Sequence, residues 1–181
     1  MKILLHCCCG PCSIMPSQLL QKEGHELTAF FYNPNIHPYQ EYVRRRDTLI
    51  NYLKEQNTPL ILQDSYDLAD FLLAVSSSAA NNANQKDRCA ICYEMRLENT
   101  AKTATKEGFD CFATTLTVSP YQDHQLLQEV GQKIGKKYGI EYKYTDFRPY
   151  FRQGQKQAKE LGLYRQGYCG CIYSEKERYC K

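Results

Sequence analysis

Four thiols fall within six positions of this chain, at Cys7, Cys8, Cys9 and Cys12, directly after the apolar run Ile3-Leu4-Leu5. Adjacent cysteines rarely close a disulfide on one another, because the bond needs a Cα separation and a torsion that chain neighbours seldom reach. Their sulfurs therefore serve a metal, a distant cysteine or a substrate. Two further pairs lie downstream, Cys89-x-x-Cys92 and Cys169-x-Cys171. The C-x-x-C spacing lets two thiolates chelate one ion or cluster. With Cys8 and Cys9 it makes four ligands, enough for tetrahedral zinc or an iron–sulfur cluster. Zinc ribbons use two C-x-x-C knuckles rather than adjacent cysteines, which favours the cluster.

The C-x-C pair calls for different chemistry. A disulfide closing so small a ring is strained, and strained disulfides are labile and redox-active. Cys169 and Cys171 thus read as a reversible dithiol, with a pair of extra metal ligands as the alternative. Cys111 reads as a small buried hydrophobe, Cys7 as core-facing, and Cys180 carries no assignment. His6, His37 and Asp146 are candidate proton donors. Polar groups at Tyr32-Asn33-Pro34, Thr114-Thr115, Ser119-Pro120 and Asp146-Phe147-Arg148 are candidate substrate contacts. Arg148 and Arg165 would reach phosphate, with tyrosines stacking on bases. Arg44-Arg45-Arg46 reads as a solvated helix face rather than a binding patch.

Composition narrows the setting. The 181 residues allow one domain with a proper core. No apolar run approaches the roughly 18 residues that a membrane span needs. The first residues lack a signal peptide, so the expected compartment is the cytoplasm, where structural disulfides do not persist. Ten cysteines in such a chain point to metal or redox chemistry. A net charge of +3 is compatible with a nucleic-acid partner without arguing for one.

The elements that must position these residues alternate. Strands are expected at Lys2–His6, Leu27–Tyr32, Pro59–Gln63, Phe109–Thr114 and Glu141–Tyr144. Helices are expected from Cys12 or Ser13 to Gly24, over Tyr39–Glu55, Asp67–Val75, Arg88–Lys106, about Asp123–Tyr138 and Arg152–Leu161. Ser76–Lys86 reads as an exposed loop, and Cys89 and Cys92 fall in a first helical turn, where the macrodipole favours thiolate. The pattern predicts a single-domain α/β fold over residues 1–181, a parallel Rossmann-like sheet with helices on both faces, followed by a cysteine-bearing tail at about 164–181. In such sheets ligands sit beyond the carboxyl ends of the strands, which is where Cys7–Cys12 falls.

Several segments together resemble the cobalamin-independent epoxyqueuosine reductases, the QueH family. They are Leu5-His6-x-Cys8-Cys9-Gly10-Pro11-Cys12, Phe31-Tyr32-Asn33-Pro34-Asn35-Ile36-His37-Pro38, Glu41-Tyr42-x-x-Arg45, Arg88-Cys89-x-x-Cys92-Tyr93-x-x-Arg96-Leu97, Thr114-Thr115-Leu116-x-x-Ser119-Pro120, Asp146-Phe147-Arg148 and Tyr164-Arg165-Gln166-x-Tyr168-Cys169-Gly170-Cys171. The resemblance implies reduction of epoxyqueuosine to queuosine at the wobble position of tRNA. It implies a [4Fe–4S] cluster on Cys8, Cys9, Cys89 and Cys92, and a redox-active pair at Cys169 and Cys171. It also implies a mononuclear metal ion, iron or zinc, beside the cluster, with Cys12 as its candidate ligand. Tyr32, Asn33, Arg148 and Arg165 would contact the substrate, and an electron donor of unknown identity would supply the reduction. The family fold is related to the ATP-using PP-loop enzymes. Here Cys-Cys-Cys-Gly-Pro-Cys replaces their Ser-Gly-Gly-x-Asp-Ser loop, which argues against ATP use. The competing functions are a zinc-stapled RNA-binding module, a thiol–disulfide oxidoreductase and an ATP-dependent iron–sulfur tRNA sulfurtransferase.

Overall fold

The chain is described by a computed structural model over residues 1–79 and 85–180. Five strands form one all-parallel sheet: β1 (Lys2–His6), β2 (Glu26–Phe31), β3 (Leu60–Leu62), β4 (Cys111–Thr114) and β5 (Glu141–Tyr142). Their spatial order is β3-β2-β1-β4-β5. The central strand β1 buries Ile3, Leu4, Leu5 and His6 alike. Since successive strand side chains point to opposite faces, helices must cover both.

Strand order reverses between β1 and β4, the place where an open α/β sheet leaves a crevice for a ligand. Register there is tight, with His6 opposite both Phe30 and Thr114. The His6 ring ties all three strands, pairing Nδ1 with Thr114 Oγ1 at 2.9 Å and Nε2 with the Tyr32 carbonyl at 3.2 Å. Burial lowers its pKa to about 3, so the imidazole is neutral and structural. That removes it as a proton donor.

Among the described residues, seven α-helices surround the sheet: α1 (Gly10–Lys22), α2 (Tyr39–Glu55), α3 (Leu68–Ala79), α4 (Gln85–Lys106), α5 (His124–Tyr138), α6 (Phe151–Glu160) and α7 (Ile172–Tyr179). α1 packs against α2 and α6, and α4 against α5 and α3. The expected boundaries shift in three places. α1 begins at Gly10, because Pro11 suits a first helical turn, and this leaves Pro16 inside the helix. The expected loop at 76–86 is helical up to Ala79 and again from Gln85, while its centre lies outside the described residues. The tail carries the unexpected helix α7, whose first turn is capped by Cys171 Sγ accepting from the Ser174 amide. No helix among the described residues is long and apolar enough to cross a membrane.

Candidate functional site

The loop leaving β1 delivers its thiols directly to the β1/β4 crevice. Cys9 is the extended residue before α1, and its carbonyl accepts from Ser13 Oγ at 2.8 Å. The Cys8 amide donates to Thr115 Oγ1 across the strand reversal at 3.3 Å. The sulfurs of Cys8, Cys9 and Cys12 lie within 4.8 Å of one another, all buried. Cys8 and Cys9 Sγ are 3.8 Å apart. Two thiolates on one tetrahedral ion at 2.3 Å would stand about 3.8 Å apart, so this triad has the spacing of ligands to a single ion.

Electrostatics within the triad is uneven. Hydrogen bonds from Cys12 and Cys9 push the Cys8 thiol well down, while burial pushes Cys9 well up and the contact with Cys8 raises Cys12. Gln166 reaches in from the tail, its Nε2 donating to Cys9 Sγ at 3.1 Å and Cys12 Sγ at 3.3 Å. Cys7 takes no part. Its thiol donates to the Leu5 carbonyl at 3.3 Å, and burial raises its pKa to about 12.

Cys89 and Cys92 stand on the wall of a neighbouring cavity of about 50 Å³, shared with Cys169, Cys171, Arg96 and Phe71. Because α4 starts at Gln85, these two cysteines lie past its first turn, where the dipole no longer favours thiolate. Burial instead raises both, Cys92 to about 12. With Cys7, Cys111 and Cys180 set aside, the remaining seven thiols divide into Cys8/Cys9/Cys12 and Cys89/Cys92/Cys169/Cys171. Arg96 stands between the groups.

The tail segment is fastened rather than loose. Arg45, buried within α2, donates to the carbonyls of Tyr168 and Cys169 at 2.9 Å each, and its charge is met by Glu41 at 2.7 Å. This overturns the solvated-face reading for the middle arginine of the run. The His37 amide donates to the Gly170 carbonyl at 2.8 Å, and Tyr168 Oη donates to the His37 carbonyl. Gly170 adopts φ +123°, and a Cβ there would stand 3.0 Å from Arg45 Nη1. Cys169 and Cys171 Sγ are 3.9 Å apart and both are free. The hydrogen bond from Cys171 lowers the Cys169 thiol to about 5 and raises its partner.

The candidate substrate contacts scatter. Asn33 is buried, with Nδ2 on the Cys7 carbonyl at 2.9 Å and Oδ1 accepting from Arg96 at 3.4 Å, so its amide is spent on positioning. Tyr32 is also buried. Arg148 lies beyond β5 with its guanidinium on Asp146 at 2.6 Å, which holds that carboxyl below its ordinary range and keeps it ionised. Arg165 is exposed on the tail. Sequence reasoning missed Gln166 and the separate roles of Arg45 and Arg96. Arg-Gln beside the C-x-C pair and arginines three or four positions from Glu41 and Cys92 were the available signals.

The donor set fits a thiolate-bound iron–sulfur or mononuclear metal centre: three clustered buried thiols, two more on an adjacent wall and a buried cation between them. The fold matches solved structures at 13–16% identity. The U34-tRNA thiolase NcsA from Methanococcus maripaludis, determined with its [4Fe-4S] cluster, superposes with a TM-score of 0.63 over 96% of this chain and 61% of its own. A predicted tRNA methyltransferase subunit from Methanocaldococcus jannaschii gives a TM-score of 0.57 over 88% of this chain and 75% of its own. These likenesses establish the α/β, Rossmann-like fold. By sequence, the epoxyqueuosine reductase QueH of Dehalococcoides mccartyi is 37% identical, covering 99% of this chain and 96% of that protein. The protein of the same description from Thermotoga maritima is 36% identical, covering 97% and 91%. A family model described as epoxyqueuosine reductase QueH matches residues 3–177, and the chain belongs to that family.

Proposed function

We propose that this chain is a cytoplasmic epoxyqueuosine reductase that converts epoxyqueuosine to queuosine in the anticodon loop of tRNA, and that it does so with an iron–sulfur centre and a dithiol. Family membership supplies the reaction and its oxidoreductase class. The observation that carries the finer reading is the convergence of seven thiols beyond the reversal of strand order, around one buried arginine.

Cys8, Cys9, Cys89 and Cys92 are the proposed ligands of a [4Fe–4S] cluster, with Cys12 beside Cys8 and Cys9 as the ligand for an adjacent iron or zinc ion. When bound, such a centre supplies electrons singly and a Lewis acid for the epoxide oxygen. The chain's own residues supply the rest. Removing the epoxide oxygen as water takes two electrons and two protons. Oxidation of the Cys169/Cys171 pair, as one thiolate and one thiol, to a disulfide releases two electrons and one proton, so one pair supplies the electrons of one turnover and the second proton comes from solvent. Cys169, held low, is the ready thiolate, and Arg45 with His37 fixes its turn against the crevice. An electron donor outside the chain then returns the disulfide to dithiol. Recognition of the splayed wobble base relies on stacking and phosphate contacts, for which Arg165 is the freest candidate and Arg148 must first leave Asp146.

The test is anaerobic reconstitution with iron and sulfide, followed by incubation with epoxyqueuosine-containing tRNA and dithionite and nucleoside mass spectrometry. Queuosine above the enzyme-free control is expected. Its absence from reconstituted protein refutes the activity. A protein that binds only zinc, colourless and still active, refutes the cluster while sparing the reaction.

A further inference from the structure

Two arginines are buried among the described residues, and they are treated oppositely. Arg45 is met by a carboxylate at 2.7 Å and two carbonyls at 2.9 Å, which is how a protein accommodates a buried guanidinium. Arg96, on α4 and only 3% exposed, has no carboxylate within ion-pairing distance among the described residues. Its hydrogen bonds to them are two contacts at the long limit, Nε to the Cys92 carbonyl at 3.4 Å and Nη1 to Asn33 Oδ1 at 3.4 Å. A guanidinium carries five donors, and burying it without a counter-charge is costly. What surrounds it instead is sulfur: Cys92 and Cys89 on its own helix, Cys169 and Cys171 across the cavity, and Cys8 on the triad side.

We propose that Arg96 is the built-in counter-charge of an anionic iron–sulfur centre held by the thiols around it, and that it sets that centre's reduction potential. The inference rests on the iron–sulfur reading above and adds to it a residue that is no ligand. The alternative anion, a substrate phosphate, fits poorly. Four of the side chains lining the cavity beside Arg96 are cysteines, which ligate a metal well and are weak hydrogen-bond donors to a phosphate. A cluster with four thiolates gains one further negative charge on reduction. A fixed positive charge in a dry, low-dielectric site stabilises that reduced state more than the oxidised one. Arg96 therefore makes the centre easier to reduce. Asn33 acts through it, tying the guanidinium to the Cys7 carbonyl and so to the loop that carries Cys8.

The experiment is a dye-mediated anaerobic redox titration of reconstituted wild type, Arg96→Gln and Arg96→Lys, followed by electron paramagnetic resonance, with iron and sulfide content measured alongside. Arg96→Gln is expected to lower the reduced-to-oxidised ratio at fixed potential at least tenfold, a 59 mV negative shift for a one-electron couple. Arg96→Lys, which keeps the charge, stays closer to wild type. If Arg96→Gln does not fold, Asn33→Asp places a carboxylate on the intact guanidinium, and a shift of the same sign is expected. An unchanged midpoint in a variant that retains its cluster overturns the inference and leaves the iron–sulfur reading standing. So does an unchanged midpoint with a raised KM for tRNA, which assigns the guanidinium to substrate phosphate. Wild type that takes up no cluster overturns both.

Discussion

The Arg45 guanidinium and the Cys169 carbonyl oxygen, 124 residues apart in sequence, meet at 2.9 Å and fasten the cysteine-bearing tail to the body of the fold. Arg45 is 1% exposed and shares its charge with Glu41, itself 7% exposed. Replacing it by methionine strands a buried carboxylate and frees two tail carbonyls. Arg45→Met is expected to lower stability by about 3–5 kcal/mol, seen as a lower denaturation midpoint in urea. Protease cleavage between Leu161 and Tyr168 should accelerate in the same variant. A wild-type midpoint would show that the tail is held by other means.

Cys169 should behave as an acid far stronger than an ordinary thiol. Its pKa drops from 9.0 to about 5 because Cys171 donates to it. The depressed value means the folded state favours the thiolate, so the associated stability is fully present above pH 9 and is lost as pH falls through about 5. Alkylation by iodoacetamide should label Cys169 first, at a rate nearly flat from pH 9 to 7 and falling toward pH 5. A rate that climbs steadily through pH 9 contradicts this assignment.

Gln166 offers a test of the triad as a metal site. Its amide donates to the sulfurs of both Cys9 and Cys12. Outer-shell donors of this kind are worth about 10–100-fold in metal affinity. Gln166→Leu should therefore lose iron or zinc to a chelator at 10–100-fold lower competitor concentration, with Cys7→Ala unaffected because Cys7 is turned to the core.

The β5 edge depends on a glycine for a different reason. A Cβ at Gly135 would stand 2.7 Å from the Ile140 carbonyl oxygen, a backbone atom that has no freedom to withdraw. Gly135→Ala is expected to cost about 1–3 kcal/mol by overpacking, measured by thermal unfolding, while the thiol sites, on the other side of β4, keep their metal content.

The fold was largely legible because its signals are local. Apolar β runs and the Gly24 and Gly139 stops lie within a few residues of what they terminate. The location of the site was legible too, since a cysteine loop after β1 must emerge at the strand ends. Its internal grouping was not. Spacing along α4 suggested that Cys89 and Cys92 sit in a first turn, yet Gln85 and Lys86 extend the helix ahead of them. Cys12, by sequence a candidate ligand for a separate metal ion, joins Cys8 and Cys9 because α1 starts early enough to turn it inward. Arg45 sat inside a basic triplet, and only helical phase separates its buried position from exposed Arg44 and half-buried Arg46. Gln166 and Arg96 act across separations of 157 and 63 residues, which no local pattern encodes.

That long reach sets an order on how the centre is built. As the polypeptide emerges, the Cys8/Cys9/Cys12 loop comes first, the helix bearing Cys89 and Cys92 follows, and Cys169 with Gln166 arrives last. The central strand must wait for β4 before its crevice exists, and loop closure over such distances is the slow part of folding. Capture of the proposed metal by the early thiols and closure by the late ones are thus separate events in time, and a nascent chain holds unguarded sulfur until its tail docks on Arg45.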